Sequence, residues 1–198
     1  MKAYMRGKFA YMGVQRSKMK PIEKPFLSDF RSLDRTAQLD LARLMWQQEE
    51  REFQYLAMDG LRKTLKHSAP SDWSLYIEMI SHKSWWDTVD LIASRLIAEL
   101  VLRFPECKEK IPGLITSDNL WLQRTAIIHQ LNYKSKTDLD LLEQSILPHL
   151  SSKEFFLQKA IGWALRNVAK WNPDYVLGFC ETHKLSGLSE REALKHLK

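Results

Sequence analysis

The strongest constraint in this sequence is a recurrence with a period of about 35 residues. Trp86, Trp121 and Phe156 stand at equal spacing, and WLQRTAI, beginning at Trp121, lies over FLQKAIG, beginning at Phe156. The segments that follow Trp121 and Phe156, around Leu141 and around Val176, recur as well. A unit of this length holds two helices, and one such pair alone cannot bury its apolar faces. The chain is therefore expected to stack helical pairs on one another.

The local pattern agrees. Ala, Leu, Lys, Glu, Gln, Arg and Met dominate, and no β-branched run alternates with period two. The reading is all-α: an α-solenoid of HEAT-like helical repeats, whose curvature offers a concave groove. Helices are expected near 36–48, 51–66, 72–81, 85–103, 118–131, 138–150, 154–170, 173–183 and 190–197. A short helical start over 3–11 precedes them, then a break at Gly13 and Val14, a basic patch at Arg16, Lys18 and Lys20, and two prolines, Pro21 and Pro25, that punctuate entry to the next element. Ser71, Ser117, Thr137 and Ser189 are the expected N-caps, and Ser84 with Asp87 has capping-box spacing. With seven Gly and seven Pro that form no linker, the 198 residues read as one domain, 1–198, with an N-terminal helical segment over 1–33 and repeats over 34–198.

Several function classes drop out. Cys107 and Cys180 are isolated, with no Cys/His cluster at metal-binding spacing, so neither a disulfide framework nor a metal centre is expected. The N-terminus has no apolar leader, and Leu91–Leu102 is broken by Arg95 and Glu99, so a cytoplasmic, membrane-free protein is expected. The net charge of +6 is compatible with a polyanionic partner without requiring one.

The repeat supplies a sharper clue. Counting from the recurrent aromatic position, Trp86, Asp90, Arg124, Lys159, Trp163 and Arg166 fall within about 120° of helical arc at about 100° per residue. A core stripe would not carry these charges at one phase, and a solvated face does not explain the indoles. The combination suits a groove that grips phosphates and presents aromatic planes and a carboxylate to something cationic. For Trp86 and Asp90 alone, core packing beside a surface acid remains an alternative. Trp46, Trp73, Trp85 and Trp121 read as packing between helices, and His82, His129 and His183 as isolated.

The segments AYMRGKFAYMGV, SWWDTVD, LWLQRTAIIHQL, FFLQKAIGWALR and LSEREALKHL resemble, in this order, the AlkD-like DNA alkylation repair family of HEAT-like-repeat glycosylases. The resemblance runs from Tyr4 almost to the C-terminus. It implies hydrolytic removal of N3- and N7-alkylated purines, such as 3-methyladenine and 7-methylguanine, from double-stranded DNA without cofactor or metal. It further implies that Asp90, Trp86 and Trp163 form the catalytic cleft, that Arg124 and Arg166 hold DNA phosphates, and that Tyr4 helps line the cleft. Lys159, at the same phase as Arg124, joins the expected DNA contacts. One departure is visible: family members usually carry a further helix before the AYM segment, whereas this sequence begins almost at Tyr4. Nothing in the sequence calls for an oligomer, so a monomer is expected. The competing readings are a non-catalytic HEAT-repeat DNA-binding or scaffold protein and, with less support, a peptide-binding solenoid.

Overall fold

The computed structural model describes residues 5–14, 16–185 and 187–197. Tyr4, expected at the cleft, lies outside them. Among the described residues the secondary structure is helical, apart from one isolated parallel bridge between Ala10 and Glu50. Contacts divide the chain into two compact units, Met1–Met79 and Ile80–Lys198.

The first unit holds α1 (Arg16–Ser32), α2 (Arg35–Gln47), α3 (Arg51–Lys63) and most of α4 (Trp73–Ser81). The expected helix over 3–11 is absent from its described part: residues 5–14 form turns with left-handed backbone at Arg6, Gly7 and Gly13. This segment is tied to the start of α3. The Arg51 N–H donates to the Ala10 carbonyl at 2.9 Å, and the fully buried Arg51 guanidinium lies 3.9 Å from the Phe9 ring centroid. Pro21 and Pro25 do not delay the first helix but lie inside α1. Each removes a backbone donor, and the buried stripe of Met19, Glu23 and Phe30 against α3 outweighs that loss. Gly60 in α3 makes the close approach possible, since a Cβ there would meet the Phe30 ring at 3.0 Å.

The second unit carries the repeat. One row consists of the continuous helix 86–103, then α9 (Leu120–Ile128), α11 (Phe155–Ala169) and α13 (Gly187–Ala193), each packed on the next. The helix 86–103 comprises α5 (Trp86–Leu91), a π-helical stretch (Ile92–Ile97) and α6 (Ala98–Arg103). A second layer consists of α7 (Pro105–Lys108), α8 (Ile111–Ile115), α10 (Leu139–Ile146) and α12 (Pro173–His183). Between the layers Ile127, Ile128, Leu142, Ile146, Leu157, Ile161, Leu165 and Val176 form a continuous buried core. The short helices α7 and α8 carry Pro105 and Pro112 in their first turns, where the missing N–H has no helical partner to lose. Burial of Cys107, Ile111 and Leu114 holds them helical.

The recurrence of LQR and LQK is physical. Gln123 donates to the Ser117 carbonyl at 2.6 Å and Gln158 to the Ser152 carbonyl at 2.9 Å, while the Ser117 and Ser152 hydroxyls accept from the Asn119 and Glu154 N–H groups. The same bridged turn therefore opens α9 and α11. Ser117 supports the turn, but Asn119 is the N-cap; likewise Asp138, not Thr137, caps α10. The Ser84 hydroxyl donates to the Ile80 carbonyl at 2.6 Å instead of capping α5, whose N-cap is Trp85. No helix among the described residues is long and apolar enough to cross a membrane.

Candidate active site

Row helices present their first turns side by side, and the aromatic residues there meet. Trp85, Trp121 and Phe156 form a cluster with ring centroids 4.9–5.6 Å apart. The recurrent aromatic position is thus filled by Trp85, and not by Trp86 as the spacing suggested. Trp85 precedes the helix in extended backbone, so helical phase does not govern where its side chain goes. Trp86 begins α5 and is half-buried beside that cluster's helix.

One turn beyond Trp86, Asp90 reaches across to α9. The Arg124 guanidinium grips both of its oxygens, Nε donating to Oδ1 at 2.7 Å and one terminal nitrogen to Oδ2 at 2.8 Å. The other terminal nitrogen donates to the Phe156 carbonyl in the first turn of α11, at 2.5 Å. A single side chain therefore links three successive row helices. Arg124, expected on phosphates, is turned inward with 5% of its side chain exposed, whereas Asp90 keeps 18% exposed. Such fork-on-carboxylate pairing fixes the plane of the carboxylate as well as its charge.

Burial pushes the Asp90 carboxyl above its ordinary value of 3.8, the hydrogen bonds and charge of Arg124 pull it back, and neighbouring Asp87 raises it again. The balance is a carboxylate that is partly desolvated yet has a fixed counter-charge. Such a group is poised to interact with a second positive centre arriving from solvent.

The backbone around Asp90 is itself unusual. Immediately after α5 the ladder widens into the π-helical stretch, a form that inserts an extra residue into a turn. Three side chains bond carbonyls within and on either side of this stretch. Ser94 donates to Asp90 at 2.6 Å, Asn132 to Ser94 at 2.8 Å, and Tyr133 to Ala98 at 2.5 Å. The loop after α9 thereby holds the widened turn in place. Sequence reasoning missed this feature, because a π turn leaves no periodic signature of its own.

On α11 the structure places Lys159, Trp163 and Arg166 along one side, with Trp163 half-buried. The two cations meet at a residue not foreseen. Glu192 of α13 accepts from Lys159 Nζ at 2.8 Å through Oε1 and from Arg166 at 2.5 Å through Oε2. The Lys159 hydrogen bond is the main reason the Glu192 carboxyl lies below its ordinary value, and Arg166 adds to it against some burial. Only the LSEREALKHL motif hinted at this helix, without indicating which of its residues would face α11.

Comparisons with known proteins bear on this arrangement. No curated protein matches the chain. Among solved structures, one described as a predicted DNA alkylation repair enzyme from Enterococcus faecalis superposes with a TM-score of 0.90 at 29% identity, covering 100% of this chain and 92% of that one. The crystal structure of AlkD2 from Streptococcus mutans is similar in fold, with a TM-score of 0.69 at 20% identity over 98% of this chain and 95% of that one. A family model described as DNA alkylation repair enzyme matches residues 1–197. Matched by that model over residues 1–197, this chain belongs to the DNA alkylation repair enzyme family.

Proposed function

We propose that this chain hydrolyses the N-glycosidic bond of cationic N3- and N7-alkylated purines in duplex DNA. The observation that carries the reading is the Asp90 carboxylate, gripped on both oxygens by Arg124 and still partly open to solvent. A scaffold that only held a polyanion would gain nothing from a carboxylate fixed in this way.

Alkylation makes the purine positive, so the base is already a good leaving group. As the bond from C1′ to the base nitrogen breaks, its electron pair goes to the base and neutralises it, and positive charge develops on the sugar. Asp90 stabilises that charge and orients a water whose oxygen bonds to C1′ while its proton passes to solvent. Trp86 and Trp163 set π-faces against the cationic sugar, adding about 0.5–2 kcal/mol each where water is excluded. Arg124 acts through Asp90 by holding it ionised and in plane. Lys159 and Arg166 provide the phosphate contacts.

The test is single-turnover release of 7-methylguanine from methylated duplex DNA. Asp90→Asn is expected to bind DNA within a few-fold of the parent and to lose base release by about three orders of magnitude, a loss of the size seen when a group acting only in the transition state is removed. Release at the parental rate rules out the role given to Asp90. Absence of release by the parent itself favours the scaffold reading.

A further inference from the structure

We infer that Glu192 is a positioning residue: it holds Lys159 and Arg166 on either side of Trp163 so that both cations meet the DNA backbone in one fixed geometry. This rests on the reading of the row helices as the DNA face.

Lys159 and Arg166 are about two turns apart on α11, and each is a long, rotamer-rich side chain. Left alone, each would have to be ordered when a phosphate arrives. Glu192 orders both beforehand, giving one carboxylate oxygen to each. Its own position is set by close backbone packing. Glu192 Cβ lies 2.4 Å, and the Ser189 carbonyl 2.7 Å, from where a Cβ on Gly162 would stand, so α13 sits against α11 in the space a side chain would fill. The buried Ser189 hydroxyl donates to the Gln158 carbonyl at 3.1 Å, and Ala193 is fully buried beneath the same helix. Gly162 immediately precedes Trp163, so the contact that places the carboxylate also seats the turn carrying the indole.

The arrangement is more than an internal ion pair. Lys159 keeps 38% and Arg166 19% of its side chain exposed. An ammonium has three donors and a guanidinium five, and Glu192 engages one nitrogen of each. The cluster also keeps a net positive charge, two cations against one acid.

A carboxylate here could instead compete with phosphate, and the two roles predict opposite signs. Removing the negative charge strengthens long-range attraction to DNA, so a competing carboxylate gives tighter binding when neutralised. A positioning carboxylate gives weaker binding despite the added positive charge. The experiment measures binding of the full chain to an undamaged duplex by fluorescence anisotropy, at about 0.15 M ionic strength and then across a salt series. Glu192→Gln is expected to weaken binding about 5- to 10-fold, as two long side chains lose their preorganisation, with the slope of log affinity against log salt kept. Lys159→Gln and Arg166→Gln are each expected to shallow that slope by about one. In the Lys159→Gln/Arg166→Gln background, Glu192→Gln is expected to weaken binding no further, since only its charge effect is left. Binding by Glu192→Gln as tight as the parent's, or tighter, overturns the proposal alone. So does a loss that persists undiminished in the double-variant background, because it would come from altered folding. Unchanged slopes in Lys159→Gln and Arg166→Gln overturn the DNA-face reading itself, and this proposal with it.

Discussion

Two of the three nitrogens of the Arg124 guanidinium go to Asp90 and the third to the Phe156 carbonyl, a division that a lysine cannot reproduce. Lysine brings a compact charge to one oxygen, and the other partner is left without its donor. In Arg124→Lys the Asp90 carboxyl therefore loses part of what offsets its burial, and its pKa rises further. The sign follows directly. Activity that needs the carboxylate ionised falls as pH drops through a midpoint above the ordinary 3.8, and the substitution moves that midpoint upward. A pH profile of single-turnover base release on parent and variant measures both positions. The stability effect has a second sign: burial favours the protonated acid in the folded state, so ionising Asp90 with rising pH costs the fold stability, and Arg124 offsets that cost. Arg124→Met, which removes the counter-charge outright, is expected to lose about 3–5 kcal/mol at neutral pH by urea unfolding.

Helix α13 depends on α11 through Gly162, and the effect of Gly162→Ala is decided by two opposed terms. Alanine favours an exposed helix interior over glycine by about 1 kcal/mol, but overpacking a closed contact costs about 1–3 kcal/mol. Here the new Cβ meets backbone as well as side chain below 3.0 Å, so neither neighbour can simply rotate away. The expected result is a net loss of about 1–2 kcal/mol in urea unfolding, accompanied by weaker duplex binding as Glu192 moves off its two cations. At this scale the sequence was legible where periodicity and tertiary packing agreed. The row helices lie where the LQR and LQK segments placed them, because the same Ser–Gln bridge opens α9 and α11. It misled where packing overrode local preference, as at Pro21 and Pro25 inside α1. Trp85 and Trp86 could not be told apart by phase, since the first stands outside the helix to which the phase applies.

Across the second unit, the site residues come from different repeats, and the contacts between them fall into two groups. Asp90 and Arg124 join the helix 86–103 to α9 and, through the Phe156 carbonyl, to α11; Glu192 joins α13 to α11. A one-dimensional stack transmits small shifts only to its neighbours, so the register of each row helix matters to the next. The sequence disclosed Asp90, Arg124, Lys159, Trp163 and Arg166 as one stripe, but not which of them pair, because pairing depends on rotamers that spacing does not fix. The widened turn over Ile92–Ile97 adds a consequence for how relatives are compared. Deleting one residue there would let the ladder close into ordinary α-helix and leave what lies before it nearly in phase with what lies after it, because the widened turn already absorbs the extra residue. Such a shortened protein is expected to keep its melting temperature and to go on releasing methylated base, whereas removing one residue from the ordinary α-helical turn between Lys159 and Trp163, which swings one past the other by about 100°, is expected to abolish release. A single-position gap over Ile92–Ile97 is then silent, while the same gap in α11 separates a repair enzyme from an inert look-alike, though a global similarity score weighs the two alike.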